Sequence, residues 1–136
     1  MFALAPFAVE LSDSWLEGDE GARWRSAAGT GPGIGADASG SSLLEVAPGR
    51  RLPRHTDSAE ETIVVTGGEA EVRVAGERSH VPAGGVALVP ANVPHEVRNA
   101  GDETLSFLAV YASPDVVTCY EEEVQPAGSR EQRPVA

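Results

Sequence analysis

Four side chains in this chain have the types and spacing to hold a divalent ion: His55, Asp57, Glu61 and His95. Imidazole nitrogens and carboxylate oxygens together suit Zn, Mn or Fe(II). His55, Asp57 and Glu61 are all odd-numbered. Alternate residues of an extended chain share a face, so a strand through them points all three the same way, provided that any bulge between 57 and 61 keeps the parity. His95 follows Pro94 at the start of a later run, and from there it can supply a fourth ligand across a barrel.

The elements that must position these residues are short apolar runs between Gly and Pro turns. Leu43–Val46 ends at Pro48-Gly49, Thr62–Thr66 at Gly67-Gly68 and Glu69–Val74 at Gly76. Val86–Val89 ends at Pro90, His95–Arg98 at Asn99-Ala-Gly101, and Thr104–Tyr111 at Ser113-Pro114, with Val116–Tyr120 as one more run. Strands recurring about every ten residues with such turns predict an all-β sandwich or barrel. Upstream, residues 28 to 42 are rich in Gly, Ala, Ser and Thr and predict a loop, since no Lys-Ser/Thr ending or following helix supports a phosphate cradle. Residues 1 to 12 contain the strand-like run Phe7–Leu11, residues 13 to 26 are assigned one or two helical turns, and residues 124 to 136 are expected to fray.

The spacing of these residues resembles the two motifs of the cupins. The first is Gly49, five residues, His55, Thr56, Asp57, three residues, Glu61, six residues, Gly68. The second is Gly84, five residues, Pro90, Ala91, Asn92, two residues, His95, three residues, Asn99. Both fit the cupin spacing without a gap, and the likeness covers roughly residues 41 to 112. It implies a cupin double-stranded β-helix, or jelly-roll, barrel over 41–120, with 1–40 as an arm and loop packing on the barrel or a partner subunit and 121–136 as a polar tail. It also implies one divalent metal ion (Fe, Mn or Zn) on His55, Asp57, Glu61 and His95, and often a homodimer, in which residues 1 to 12 can add a strand to the partner's sheet.

Two positions depart from the pattern. Asn92 stands where the motif has glycine, and Asn is the non-glycine residue that best tolerates the left-handed region. Asp57 stands where the motif has a second histidine. Its side chain is shorter than imidazole, so either the ion shifts towards this strand, or a water fills the gap, or Asp57 is not a ligand. Two His with an Asp and a Glu balance a divalent charge, and this oxygen-richer set disfavours Cu. Without Asp57, the remaining set of two His and one carboxylate is that of non-haem Fe(II) oxygenases, although Zn accepts it too.

Other residues carry blander readings. His80 has no motif position and is expected at the surface. Arg50, Arg51 and Arg54 are read as pairing with nearby acids, Trp24, Phe107 and Tyr111 as packing, Cys119 as a small buried or edge residue, and Glu121–Glu123 as a solvated face.

The bulk numbers bound the function. With 136 residues there is room for one domain, and aromatics are only 5%, so Val, Leu and Ala must fill the core. A net charge of −11 repels phosphate backbones, so no nucleic-acid partner is expected. No run is long enough to span a bilayer, a basic signal-peptide start is lacking, and a single cysteine cannot close an intrachain disulfide, so the expected setting is cytoplasmic. The leading expectation is a metal-dependent enzyme with dioxygenase-type chemistry on a small oxygen-rich molecule, with Glu61 as the catalytic base. The alternatives are a redox-neutral isomerase, cyclase or lyase, and a non-enzymatic small-molecule binding module.

Overall fold

A computed structural model describes residues 1–3 and 9–135. The strands are β1 (Ser12–Leu16), β2 (Asp19–Ala28), β3 (Gly40–Val46), β4 (Arg51–Asp57), β5 (Glu61–Gly67) and β6 (Glu69–Val74). They continue with β7 (Glu77–Pro82), β8 (Val86–Val89), β9 (His95–Asn99), β10 (Leu105–Tyr111), β11 (Thr118–Gln125) and β12 (Ser129–Gln132). Among the described residues the only helical piece is a 3-10 turn at Pro32–Ile34, and it lies in the stretch predicted as a loop.

The strands form one continuous ribbon in the order β7-β6-β9-β4-β11-β1-β2-β3-β10-β5-β8, with β12 added on β11. The ribbon is folded on itself. Its two end strands, β7 and β8, are consecutive in the chain, and their connection bonds to β5: Gly84 donates to the Val65 carbonyl at 2.8 Å and Val65 donates to that of Gly85 at 3.0 Å. This is the jelly-roll barrel the motifs imply.

The inner face changes character along the strands. On β5, Glu61, Ile63 and Val65 point inward, and their register partners on β10 are Tyr111, Ala109 and Phe107. Phe107, Leu105, Val46, Val65 and Val97 fill one end and are all at most 2% exposed, each contributing about 1.5–3 kcal/mol by burial. The other end of the same strands holds the polar residues of the candidate site.

Turn chemistry follows the motifs. Asn92 has φ 61°, the left-handed conformation anticipated for it, and its N–H donates to the Asp57 carbonyl at 2.7 Å. Gly68 has φ 73°, and a Cβ there would lie 2.7 Å from the Thr104 carbonyl oxygen. Asn99 donates from Nδ2 to the carbonyls of Val46 (2.9 Å) and Glu103 (2.7 Å), tying strand ends to the loop before β10.

The structure differs from expectation at both ends. Residues 13 to 26 form no helical turn: they lie in β1 and β2, which pair antiparallel. Ala22 and Trp24 are buried between exposed Arg23 and Arg25, a period-two pattern that Gly18 and Gly21 obscure in the sequence. The predicted frayed tail instead contributes the end of β11 and all of β12, which pairs Thr118 with Gln132 and Cys119 with Glu131. The strand proposed near Phe7–Leu11 lies partly outside the described residues, among which the first strand begins at Ser12.

Candidate metal centre

β4 delivers His55 and Asp57. A bulge between Leu52 and His55 in its pairing with β9 turns both of those residues inward. The same ladder sets His55 directly opposite His95, with ring centroids 4.1 Å apart. Glu61 opens β5 on the far side of the ribbon and meets His95 across the interior, Nε2 to Oε1 3.0 Å. All four residues are buried, at 4% exposure or less. One ligand atom each from His55, Asp57 and His95 lie within 4.8 Å of one another, while Glu61 touches this cluster through His95.

Both imidazoles are oriented by backbone. His55 Nδ1 lies 2.7 Å from the Pro53 carbonyl and His95 Nδ1 lies 2.8 Å from that of Val93. A carbonyl only accepts, so each Nδ1 carries the proton, and in the neutral ring Nε2 presents a lone pair. His95 Nε2 then faces two carboxylates, Asp57 Oδ2 at 3.1 Å and Glu61 Oε1 at 3.0 Å, and His55 Nε2 is 3.6 Å from Asp57 Oδ2. Thr118 donates to Asp57 Oδ1 at 2.5 Å. Asp57 Oδ2 is buried, and apart from the approach of His95 Nε2 at 3.1 Å it has no polar partner within hydrogen-bond distance among the described residues. Carboxylate and imidazole lone pairs that converge in a buried site require a positive charge between them, a proton on His95 or a bound cation. A divalent ion satisfies all of them, and this donor set is a hard-to-borderline one.

Protonation shows the same demand. For His95, burial works against charge, but the hydrogen bonds and charges of Asp57 and Glu61 prevail and raise its pKa to about 10. Burial, then the His95 charge, pushes His55 down to about 4. Burial also lifts Glu61 to about 7, opposed by its His95 hydrogen bond. At Asp57 burial is outweighed by the hydrogen bonds from His95 and Thr118 and the charge of His55, and its carboxyl is held below the usual range.

A cavity of about 470 Å³ opens beside His55 and Glu61 and is lined by Trp24, Leu44, Tyr111 and Tyr120 among others. Trp24 stacks on Tyr120 (centroids 5.4 Å apart), and Tyr120 leans on His55 at 5.0 Å. Trp24, Tyr111 and Phe107 are all buried in the core as expected, and Trp24 and Tyr111 also line this cavity. Sequence reasoning missed Thr118 and Tyr120, which β11 places opposite Asp57 and His55. The signal was present in the buried alternation Val116, Thr118, Tyr120.

Most of the remaining candidates fall where the bland readings put them, but Arg50 donates to the backbone carbonyl of Glu20 rather than pairing with an acid. Arg51 pairs with Asp19 (2.5 Å) and Glu96 (3.9 Å), and Arg54 with Glu121 (3.1 Å). His80 is exposed and 3.5 Å from Glu69. Cys119 is exposed on β11, paired with Thr56 on one side and Glu131 on the other, so it is neither the buried nor the edge residue expected.

Comparison with known proteins agrees with this fold. Auxin-binding protein 1 of Arabidopsis thaliana is 30% identical over 94 residues, covering 62% of this chain and 48% of that protein. The structure of oxalate decarboxylase from Bacillus subtilis at pH 4.6 superposes with TM-score 0.59 at 29% identity, over 70% of this chain and 26% of that one. Another structure of that enzyme, described for its Mn(II) centres, gives TM-score 0.58 and 27% identity over 74% and 28%. The chain thus spans about half the length of the plant relative and about a quarter of the decarboxylases. The family described as Cupin domain matches residues 42–111, both motifs included, and on that match over half its length the chain belongs to the cupin family.

Proposed function

We propose that His55, Asp57, Glu61 and His95 bind one divalent ion, Fe, Mn or Zn. The chain is then a metal-dependent enzyme acting on a small oxygen-rich molecule in the adjoining cavity, by dioxygenase-type chemistry. The observation that carries this reading is Asp57 Oδ2, buried and facing two imidazole Nε2 atoms, with no other polar partner among the described residues. A bound ion supplies Lewis acidity towards chelated substrate oxygens and, as iron, redox chemistry with dioxygen. Thr118 holds Asp57 Oδ1, leaving Oδ2 free for the ion. Glu61, which burial makes more basic than an ordinary carboxylate, would leave the ion to accept the proton of a substrate hydroxyl. Trp24 and Tyr120 supply a ring face against which a planar substrate can lie.

A second reading is redox-neutral, an isomerase, cyclase or lyase, and is favoured by the likeness to oxalate decarboxylases. Oxygen uptake separates the two. With iron-loaded protein and a panel of hydroxy-ketones and catechols, dioxygen consumed in step with substrate and lost in His95→Ala supports the first. Product formed without oxygen uptake supports the second, and tight binding without product reduces the chain to a binding module.

We further propose that the chain works as a homodimer. Val86, Val64, Leu108 and Leu43 stand in one register row across the outer face of β8, β5, β10 and β3. Val86 is 65% exposed, and Leu88 beside it 60%. Two copies of a chain of net charge −11 repel each other least where such an uncharged face meets its own copy. No helix among the described residues is long and apolar enough to cross a membrane, and a reducing cytoplasmic setting fits a chain whose one cysteine is exposed.

A further inference from the structure

We infer that the cavity beside His55 and Glu61 selects a planar, uncharged hydroxy-carbonyl ligand and discriminates against small dicarboxylates. This rests on the metal reading above and goes beyond it by naming the ligand's shape and charge.

The first ground is the wall. Trp24 and Tyr120 stack with an interplanar angle of 27°, and the Tyr120 ring is inclined by only 36° to that of His55. The result is a column of rings leading from the cavity to the cluster, with Leu44 and Leu52 adding apolar surface. Such a wall favours a flat ring of a size that a cavity of about 470 Å³ accommodates. A two-carbon dicarboxylate leaves it unused.

The second ground is charge. The polar groups near the cluster are hydroxyls: Tyr111, directly across the ladder from Glu61, Ser42 beside the Tyr111 hydroxyl, and Thr118. The one Lys or Arg among the described lining residues is Arg133, whose side chain is 64% exposed and tied to Asp115 at 2.8 Å. Arg54, Arg73 and Arg78 line a different cleft that reaches His95 but neither His55 nor Glu61, and Arg54 and Arg73 are held by Glu121, Glu71 and Glu96. Asp57 and Glu61 already balance a divalent ion. A dianion would therefore leave a doubly negative centre with no buried cation to compensate it. An uncharged hydroxy-carbonyl would add no net charge to such a centre.

The test is calorimetric titration of zinc-loaded protein with maltol, a planar hydroxy-ketone uncharged at neutral pH, and with oxalate, alongside zinc analysis of every sample. Maltol is expected to bind at least about tenfold more tightly than oxalate. Trp24→Ala is expected to lose about tenfold in maltol affinity while holding its zinc, and Trp24→Phe, which keeps a ring against Tyr120, to retain most of it. Oxalate binding as tightly as maltol to wild type overturns the inference, as does a zinc-holding Trp24→Ala with unchanged maltol affinity. If Trp24→Ala does not fold, the wild-type comparison decides alone. Zinc held with tight oxalate binding removes only the ligand class, whereas protein that takes up none of Zn, Mn or Fe removes the metal reading as well.

Discussion

Asp57 is the residue on which the centre turns, because it replaces an imidazole of the family pattern with a carboxylate. Its Oδ1 is engaged by Thr118 and its Oδ2 faces His55 and His95. In the metal-free protein the charge between these groups is a proton on His95, whose pKa is raised to about 10. That proton must leave when an ion binds. Metal affinity should therefore rise about tenfold per pH unit between neutrality and pH 9. It should fall more steeply below about 7, where Glu61 also takes up a proton. Titrations in buffers of differing ionisation enthalpy check this, and an uptake that releases no proton near neutrality would contradict it. Stability of the metal-free protein runs the other way. A raised histidine pKa stabilises fully below its ordinary value of 6.5, and that contribution is lost as pH rises through about 10. Chelator-treated protein should thus unfold at lower urea at pH 10 than at neutral pH.

Strands and turns position these residues, and the turns test it most sharply. Gly68 combines φ 73° with a Thr104 carbonyl oxygen 2.7 Å from where a Cβ would sit. Gly68→Ala should therefore cost at least about 1–2 kcal/mol in urea unfolding, whereas Asn92→Gly, at φ 61°, should change stability by less than about 1 kcal/mol. A Gly68→Ala protein as stable as wild type would mean that this turn is not left-handed. The β region from 43 to 111 was legible because its runs are bounded by Gly and Pro and its motif residues are evenly spaced. His55 and Asp57 share a face of β4 as their parity requires, but the chain bends at residues 58–60 and Glu61 reaches the interior from β5, so no single extended strand carries all three. A bulge does occur, but it precedes His55 and so leaves that parity intact. β1 and β2 were not legible, because a period of two is hard to see when Gly18, Asp19, Glu20 and Gly21 interrupt it. β12 was hidden by its composition, Ser-Arg-Glu-Gln, which pairs by backbone and has no apolar face to announce it. Thr118 and Tyr120 were missed for a related reason: their role depends on which strand lies beside β4, and pairing between distant strands is not written in local pattern.

Taken whole, the molecule is a folded ribbon with an aliphatic end, a polar end and one uncharged outer row. If that row is where two copies meet, Leu108→Asp places a charge in its centre and should convert dimer to monomer in light scattering without changing metal content. Wild type that is monomeric at tens of micromolar would dismiss the dimer. The fold itself does not choose a reaction, since the same barrel serves many chemistries, and the whole-chain activity depends on whether the buried cluster holds an ion. The most direct measurement is therefore elemental analysis of protein purified without added metal and after reconstitution, in wild type, His55→Ala, Asp57→Ala and His95→Ala. About one Fe, Mn or Zn per wild-type chain, lost in both histidine variants and weakened in Asp57→Ala, is the predicted result. No ion in wild type after reconstitution, or histidine variants that hold as much as wild type, would contradict a metal centre at these residues.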